Sequence, residues 1–482
     1  MDTVPAHDCC AVPPAPKSAP DLVVIGAGSA GFSAAIRASE LGARVALIGA
    51  GTIGGTCVNI GCVPSKTLIR AAETLHHGKT ASRFAGITAS ARLTDWTALV
   101  AQKDALVGGL REAKYAALLP EYDTIRYVEG AARFTADGLV AGNELFPAER
   151  VVIATGASPA VPLIPGIGDV PYLTSTTALA LDRLPRSLLI IGGGVIGCEL
   201  GQMFARFGVA VTIVCRSHLL PGFEPEVVAA LTGYLREEGI VVRCGVSYQR
   251  IRRDEAGVAL DVMTVEGRLE TIAAEQILVA TGRVPNTTGL ALAAAGIAAD
   301  ARGAIAVDEF LQTSRPGVYA AGDVTGRDQF VYMAAYGAKL ATENALNGNT
   351  RRYDARAMPE VVFTDPEAAR VGLTEAEARA EDLAVRTVTL PLGQVPRALA
   401  ARDTRGLIKL VAEEGSLRLL GAQILAPEGA DSIQTAVLAI KHRLSIPDLA
   451  ETLFPYLTTV EGLKLAALGF TKDVAKLSCC AG

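Results

Sequence analysis

The sequence lacks a long uninterrupted apolar segment. Half of its 482 residues are apolar, yet none of the apolar stretches reaches the about 18 residues that predict a membrane span. The N-terminus, "MDTVPAHDCCAVPPAPKSAP", has no basic region followed by an apolar one, so it is not predicted to be a signal peptide. We therefore expect a cytoplasmic protein without membrane insertion.

The sequence also lacks a large net charge of either sign. A formal net charge of -5 gives no reason to expect nucleic acid or an anionic membrane as a partner. The length predicts about three domains, and the first 20 residues, rich in proline and alanine, are predicted to be a flexible tail.

The sequence also lacks the even number of cysteines that is typical of a secreted, disulfide-bonded protein. The chain has nine cysteines, and an odd number in a long chain without a signal peptide argues against a disulfide scaffold. Six of them form three close pairs, which are Cys9–Cys10, Cys57–Cys62 and Cys479–Cys480. The others, Cys198, Cys215 and Cys244, stand in apolar helix or strand contexts and are predicted to be buried filler.

Two strand–glycine turn–helix units are present, about 165 residues apart, in "DLVVIGAGSAGFSAAI" and "SLLIIGGGVIGCEL". Each carries a GxGxxG pattern, whose glycines allow a close backbone approach to a pyrophosphate at a helix N-terminus. One such pattern is weak evidence, but two in the right context predict two dinucleotide sites. The glycines are Gly26, Gly28 and Gly31 in the first unit and Gly192, Gly194 and Gly197 in the second.

The end of the second strand of each unit indicates which nucleotide is bound, because an acid there holds a ribose hydroxyl and a base accepts a 2′-phosphate. The second unit has Arg216 in "TIVCRSH", which favours NADPH over NADH. The first unit has Gly49 where an acid is expected, and an acid restored there is predicted to tighten nucleotide binding.

Three further apolar strands end in glycine turns, in "VVIATGASP", "ILVATGRVPN" and "GVYAAGDVTG", the last with Asp323. From about Tyr353 the sequence pattern changes to a mixture of predicted strands and helices. "GLIKLVAEEGSLRLLGAQIL" predicts a hairpin and "IQTAVLAIKHRL" a helix, both in a third domain.

The order GxGxxG, ATG, GxGxxG, ATG, GD resembles the flavoprotein disulfide reductase family. The resemblance implies an α/β fold with two Rossmann-like dinucleotide-binding domains and an α+β dimerisation domain. FAD would occupy a discontinuous domain at 21–150 and 281–350, NADPH the domain at 151–280, and 353–482 would form a homodimer interface ending in the Cys-Cys tail. The FAD contacts that it implies are Gly26, Gly28, Ala30, Gly31, Gly51, Thr56, Lys66, Gly130, Ala132, Asp323 and Val331.

Cys57 and Cys62 lie in "GGTCVNIGCVPSK". On an ideal helix their α-carbons would be roughly 8.6 Å apart, beyond the about 7 Å limit of a disulfide, so the glycines and proline predict a distorted helix start. The segment resembles the redox-active segment of the family, which implies that Cys62 lies against the flavin and Cys57 faces the substrate. Lys66 would lie near the flavin and pair with Glu199.

The stretch "LFPYLTTVEG" separates this chain from members that exchange disulfides, which keep a histidine backed by a glutamate there. Tyr456 replaces the histidine and Glu461 is retained, and a phenol with a pKa near 10 is a poor acid-base catalyst at neutral pH. With Tyr172 and the closing "KLSCCAG", this resembles the branch of the family that reduces mercuric ion.

That resemblance implies a thiol relay, since thiolates select soft metal ions. Cys479 and Cys480 would collect Hg(II) and pass it to Cys57 and Cys62 of the partner subunit, with Tyr172 and Tyr456 lining the transfer site. Cys9 and Cys10 are either a minimal collector or the remnant of a separate metal-binding domain.

Two alternatives are a large thioredoxin reductase, which can also end in adjacent cysteines, and a non-catalytic thiol buffer for metal ions. Tyr456 argues against the first, and the redox pair, both nucleotide patterns and Asp323 argue against the second.

Overall fold

The computed structural model describes residues 19–255 and 257–478. The cysteine pairs Cys9–Cys10 and Cys479–Cys480 lie outside these residues, so their predicted roles have no structural counterpart here.

The first sheet has five parallel strands whose apolar residues are buried on both faces, as parallel sheets require. In spatial order the strands are Val318–Ala320, Val151–Ile153, Leu22–Ile25, Val45–Gly49 and Ile125–Glu129. Helices Ser29–Glu40 and Val331–Asn347 pack on one face. A three-stranded antiparallel sheet covers the other face, with strands Ala132–Phe134, Leu139–Ala141 and Glu144–Phe146.

The second sheet repeats this plan, as the duplicated glycine pattern predicts. Its parallel strands are, in spatial order, Val241–Arg243, Ala210–Val214, Ser187–Ile191, Gln276–Val279 and Leu173–Thr174. Helices Val195–Arg206 and Pro225–Glu237 cover one face. The antiparallel strands Ser247–Asp254, Gly257–Met263 and Leu269–Ala274 cover the other.

The predicted boundary at residue 151 differs from the strand arrangement. Strand Val151–Ile153 pairs on one side with Leu22–Ile25 and on the other with Val318–Ala320, so it belongs to the first sheet. The chain crosses between the two units further along, at the paired strands Ala157–Pro159 and Arg283–Pro285.

The third sheet is antiparallel and contains the predicted hairpin. Its strands are Pro359–Val362, Glu367–Gly372, Leu419–Ala426, Leu407–Glu413 and Val385–Pro391, in spatial order. The predicted helix is also present, as Gly429–Lys441. The other α-helices within residues 19–255 and 257–478 are Gly55–Ile60, Cys62–Thr80, Trp96–Arg111, Ser175–Ala178, Glu375–Ala380, Pro396–Ala401, Ile446–Glu451 and Glu461–Leu468.

Buried ion pairs join the second and third units. The Arg206 guanidinium lies 2.7 Å from Glu238 and 2.9 Å from Asp365. Lys409 is buried in the third sheet and lies 3.0 Å from Glu224. None of the helices in the described ranges is both long and apolar enough to cross a membrane.

Candidate active site

The first glycine loop forms a cradle that admits no side chain at Gly26 or Gly31. Gly26 follows strand Leu22–Ile25 with a φ of 115°, and a β-carbon there would lie 2.2 Å from the Ala154 carbonyl oxygen. A β-carbon on Gly31 would lie 1.6 Å from the Gly26 carbonyl oxygen. These two glycines therefore allow the tight turn and close packing at the start of helix Ser29–Glu40 that are typical of a pyrophosphate-binding loop.

The other predicted FAD contacts surround this loop at the carboxyl edge of the first sheet, where open α/β folds bind ligands. Gly51 and Gly130 follow strands Val45–Gly49 and Ile125–Glu129, and Asp323 follows strand Val318–Ala320. Ala30 lies in helix Ser29–Glu40, Thr56 in helix Gly55–Ile60, Ala132 begins its strand and Val331 begins its helix.

Buried polar atoms at this edge fit a polar ligand. Thr155 Oγ1 and Arg283 Nε are buried without a hydrogen-bond partner within the described part of the chain. Arg283 Nε lies 3.3 Å from the Asp323 carboxylate. Burial raises the pKa of Asp323, and the Arg283 charge opposes that rise. The unpartnered Thr155 hydroxyl, the Arg283 and Asp323 pair and the glycine cradle match the phosphates and hydroxyls of a dinucleotide.

The space beside Gly49 is filled, which overturns the expectation that an acid restored there would tighten nucleotide binding. A β-carbon on Gly49 would lie 2.6 Å from Ala27 Cβ and 2.8 Å from Tyr127 Oη. Even the first atom of a glutamate side chain therefore has no room. The neighbouring carboxylate at this edge belongs to Glu129, which pairs in register with Gly49 and is exposed.

The redox segment is held against the first cradle by its glycines. Gly54 and Gly55 have φ angles of 94° and 66°, a region that disfavours other residues. The Gly54 amide donates to the Ala27 carbonyl at 2.8 Å. A β-carbon on Gly55 would lie 2.6 Å from Gly28 Cα, so only glycine allows this approach.

The helix that carries the cysteines is broken at Gly61, as the predicted distortion requires. Helix Gly55–Ile60 contains Cys57, and helix Cys62–Thr80 begins at the second cysteine. Gly61, with φ −125° and ψ −112°, turns the chain between them. The Asn59 amide donates to the Ile53 and Gly55 carbonyls at 2.9 and 2.8 Å, which stabilises the short helix.

The thiols of Cys57 and Cys62 differ in pKa. A hydrogen bond from the Cys57 thiol, together with the Lys66 charge, lowers the pKa of Cys62 to about 7, although burial opposes the change. The same hydrogen bond and burial raise the pKa of Cys57. The position of Cys62 at a helix N-terminus agrees with this direction. Cys62 is therefore about half ionised at pH 7, whereas Cys57 stays a thiol.

Lys66 lies one turn after Cys62 and forms an ion pair with Glu199 at 2.5 Å, the partner that the resemblance implies. Glu199 is buried in helix Val195–Arg206 and also accepts from the Phe363 amide at 2.9 Å. The Lys66 ammonium lies 4.9 Å from the Phe363 ring centroid. This contact joins the redox helix to both the second and the third unit.

The second cradle repeats the first. Gly192 has a φ of 121°, and a β-carbon there would lie 2.2 Å from the Ala280 carbonyl oxygen. A β-carbon on Gly197 would lie 2.1 Å from the Gly192 carbonyl oxygen, whereas the space beside Gly194 is open. Arg216 is exposed just after strand Ala210–Val214, at the same sheet edge.

The two predicted tyrosines lie outside the redox segment, one in the second unit and one in the third. Tyr172 is partly buried and packs on the apolar cluster of the second unit. Tyr456 is 47% exposed in the third unit. Glu461 begins helix Glu461–Leu468, and its carboxylate accepts from the Leu457 amide at 3.2 Å.

Comparison with known proteins decides the family. Residues 20–341 match the pyridine nucleotide-disulphide oxidoreductase family (Pyr_redox_2), and residues 358–467 match its dimerisation domain. The chain belongs to the pyridine nucleotide-disulphide oxidoreductases. Membership implies a flavin, a nicotinamide nucleotide and a homodimer formed by the third unit.

Curated oxidoreductases of this family resemble the chain over most of its length. The mercuric reductase of Streptomyces lividans is 47% identical over 469 residues, 96% of this chain and 98% of its own. That of Shigella flexneri is 48% identical, over 96% of this chain and 82% of its own.

Solved structures of the family share the fold. The HOCl-induced flavoprotein disulfide reductase RclA from Escherichia coli is 33% identical with a TM-score of 0.81, over 93% of this chain and 99% of its own. LpdA from Mycobacterium tuberculosis is 27% identical with a TM-score of 0.83, over 94% and 100%.

Three residues of the candidate site of this oxidoreductase were not singled out from the sequence, although one of them lies within the quoted stretch "ILVATGRVPN"; they are Tyr332, Phe363 and Arg283. Burial raises the pKa of Tyr332, and smaller contributions come from the charges of Glu360, Asp328 and Cys62. In the sequence these residues stand in ordinary apolar or basic contexts. They reach the site only through the packing of the units.

Proposed function

We propose that this chain reduces Hg(II) to Hg(0) with NADPH as the electron donor and FAD as the bound flavin. The observation that carries the proposal is the pair Cys57 and Cys62, one thiolate and one thiol, held against the first nucleotide cradle. Relatives named mercuric reductase, 47–48% identical over 96% of the chain, support the choice of substrate.

FAD is proposed for the first cradle and NADPH for the second. The Thr155 hydroxyl, which has no hydrogen-bond partner in the described residues, and the paired Arg283 and Asp323 would hold polar groups of FAD. Arg216 would face the 2′-phosphate that distinguishes NADPH from NADH. A flavin bound there supplies the two-electron link between nicotinamide and the thiol site.

Cys57 and Cys62 are proposed to hold the metal ion as a dithiolate. Cys62 is already half ionised at pH 7, and Cys57 releases its proton when the cation binds. Two sulfurs satisfy a soft, two-coordinate ion. This suits the finding that no group of three or more His, Cys, Asp or Glu within residues 19–255 and 257–478 is arranged to hold a metal ion.

Two electrons added to Hg(II) give a neutral atom that thiolates do not bind, so the product leaves without a protein acid. Lys66, fixed by Glu199, would balance the negative charge of the reduced site. The cytoplasmic location predicted from the sequence suits this chemistry, because a reducing compartment keeps thiols free. That location stays a prediction.

The tail cysteines are proposed to deliver the ion across the dimer interface. Cys479 and Cys480 would take Hg(II) from small thiols by stepwise exchange and pass it to the partner's thiol pair, with Tyr172 and Tyr456 lining the path. The exposed Leu453 and Tyr456 lie on the third unit, which matches the dimerisation domain.

NADPH oxidation by the purified flavoprotein tests the function. We expect turnover with Hg(II) in excess small thiol and little with oxidised glutathione or oxidised thioredoxin. Cys57→Ala or Cys62→Ala should abolish mercury turnover while flavin stays bound and reducible. Faster turnover with thioredoxin would favour the disulfide reductase alternative, and metal binding without NADPH oxidation would favour a thiol buffer.

Subunit mixing tests the relay. Dimers that combine a Cys479→Ala, Cys480→Ala chain with a Cys57→Ala, Cys62→Ala chain have one site with both thiol pairs intact, if each site draws its tail from the partner. Activity should therefore exceed that of either parent. A mixture no more active than the tail variant would contradict delivery across the interface.

A further inference from the structure

A second thiol pair lies in the second unit, outside the site described above. Cys215 follows strand Ala210–Val214, and Cys244 follows strand Val241–Arg243. These parallel strands pair up to Val214 opposite Arg243, so the two cysteines are the next residues in register. The Cys215 thiol donates to Cys244 Sγ at 3.0 Å. The sequence predicts that these cysteines only fill buried apolar space, a role that fits Cys198 but not the hydrogen-bonded pair Cys215 and Cys244.

The backbone already has the geometry of a disulfide. Adjacent strands lie about 4.8 Å apart, within the ~4.4–6.8 Å that separates the α-carbons of bonded cysteines. The two sulfurs need to approach by only about 1 Å to reach the bond length of about 2.05 Å. A metal ion bridging them in a line, with S–metal distances of about 2.3 Å, would instead require the sulfurs to separate.

The two thiols differ in the way that a redox-sensing pair does. Cys244 is partly exposed, and the hydrogen bond from Cys215, with smaller contributions from the Arg236 charge and the Leu219 amide, lowers its pKa to about 7 against the effect of burial. Cys215 is buried, and the same hydrogen bond raises its pKa. An accessible thiolate beside a resolving thiol is the arrangement that oxidants select.

Cys215 also touches the second glycine cradle. A β-carbon on Gly193 would lie 3.0 Å from Cys215 Cβ and 3.1 Å from its Sγ, so the cysteine packs directly under the loop. The Gly193 carbonyl accepts from the Leu220 amide at 2.7 Å, which ties the loop to the segment after Cys215. A movement of the Cys215 sulfur toward Cys244 therefore removes packing beneath the nucleotide-binding backbone.

We propose that Cys215 and Cys244 form a reversible disulfide, separate from Cys57 and Cys62, that weakens nucleotide binding at the second cradle. The oxidant is a hydroperoxide. The Cys244 thiolate attacks a peroxide oxygen, the O–O bond breaks, and a sulfenic acid and hydroxide form. The Cys215 sulfur then attacks the sulfenic sulfur, water leaves and the S–S bond forms. Two thiols and one hydrogen peroxide thus give one disulfide and two waters, and a small dithiol reverses the bond by exchange.

Peptide mapping of the holoenzyme tests the bond without turnover. After hydrogen peroxide, alkylation of free thiols and trypsin digestion, peptide 207–216 should be linked to peptide 244–250. The link should disappear when dithiothreitol precedes alkylation. Peptide 45–66 contains both Cys57 and Cys62 and reports their oxidation in the same digest, and Cys198 lies in a third peptide. Recovery of Cys215 and Cys244 as alkylated thiols while Cys57 and Cys62 are oxidised would overturn the proposal.

Equilibrium binding of NADP⁺ tests whether the disulfide weakens nucleotide binding at the second cradle. This test rests on the proposed function, which assigns NADPH to that cradle. Peroxide-treated wild type should bind NADP⁺ several-fold more weakly than the reduced protein and recover with dithiothreitol. Cys244→Ser should keep the reduced affinity under peroxide, whereas Cys198→Ala should respond like the wild type. Equal affinity of cross-linked and reduced wild type would overturn the coupling. Neither measurement depends on mercury reduction, so a failure of the proposed function is distinguished from a failure of the disulfide proposal.

Discussion

The thiolate character of Cys62 depends on the neighbouring Cys57 thiol, and Cys57→Ala should remove it. The hydrogen bond from Cys57 is the largest influence that lowers the Cys62 pKa from its ordinary 9.0 to about 7. Burial raises this pKa, and the Lys66 charge lowers it, so these influences oppose each other. Without Cys57 we expect a Cys62 pKa close to the ordinary thiol value.

The size of the effect follows from two opposing factors. At pH 7 a thiol with a pKa of about 7 is half ionised, whereas one near 9 is ionised to about 1%, a loss of roughly fifty-fold. The more basic thiolate is intrinsically about six- to tenfold more nucleophilic. Alkylation of Cys62 at pH 7 should therefore slow by about five- to eightfold, and its pH midpoint should rise by about two units.

Iodoacetamide alkylation of the reduced holoenzyme measures this directly, with Cys62 followed in peptide 45–66 by mass spectrometry. Cys57→Ser is the matched control, since its hydroxyl can still donate to the Cys62 sulfur and should keep most of the low pKa. An unchanged midpoint in Cys57→Ala would refute the assignment and make the helix terminus and Lys66 the cause.

Three further outcomes are expected. Gly49→Glu should weaken FAD retention, measured by flavin fluorescence on dilution, because its β-carbon would lie 2.6 Å from Ala27 Cβ. Arg216→Glu should lower the NADPH-to-NADH ratio of kcat/KM by about tenfold, the value of one lost charged hydrogen bond. Asp365→Asn should cost about 2 kcal/mol in the free energy of unfolding at pH 7, because Arg206 keeps Glu238 but loses one charged hydrogen bond. Burial raises the pKa of Asp365, but Arg206 and Arg405 lower it overall below 3.8, so this stability is present above pH 3.8 and is lost as pH falls through the lower folded value.

A specific result would contradict each of these three predictions. Tighter flavin binding in Gly49→Glu would mean that Ala27 and Tyr127 move aside. A preference for NADPH that survives Arg216→Glu, or that is equally lost in the exposed control Arg250→Glu, would remove Arg216 from recognition. A constant stability difference for Asp365→Asn down to pH 3 in urea unfolding would show that its charge contributes nothing.

Local sequence determined the parts of this protein that depend on backbone conformation and short spacing. Gly31 and Gly197 are demanded by the carbonyls of Gly26 and Gly192, five residues earlier in the chain, so the two cradles were predictable from the glycine spacing. The break at Gly61 and the hairpin Leu407–Ala426 were equally predictable, because turns and strand periodicity are written within a few residues.

Contacts between distant segments were decided only by the tertiary structure. The pocket beside Gly49 is closed by Tyr127 from the neighbouring strand, so a pattern that asks for an acid at the strand end was misleading. Strand Val151–Ile153 joins the first sheet because its partners lie on both sides of it in space. Cys215 and Cys244, 29 positions apart, meet because two parallel strands end in register. Strand register is set by packing across a whole sheet, and no short stretch of sequence contains it.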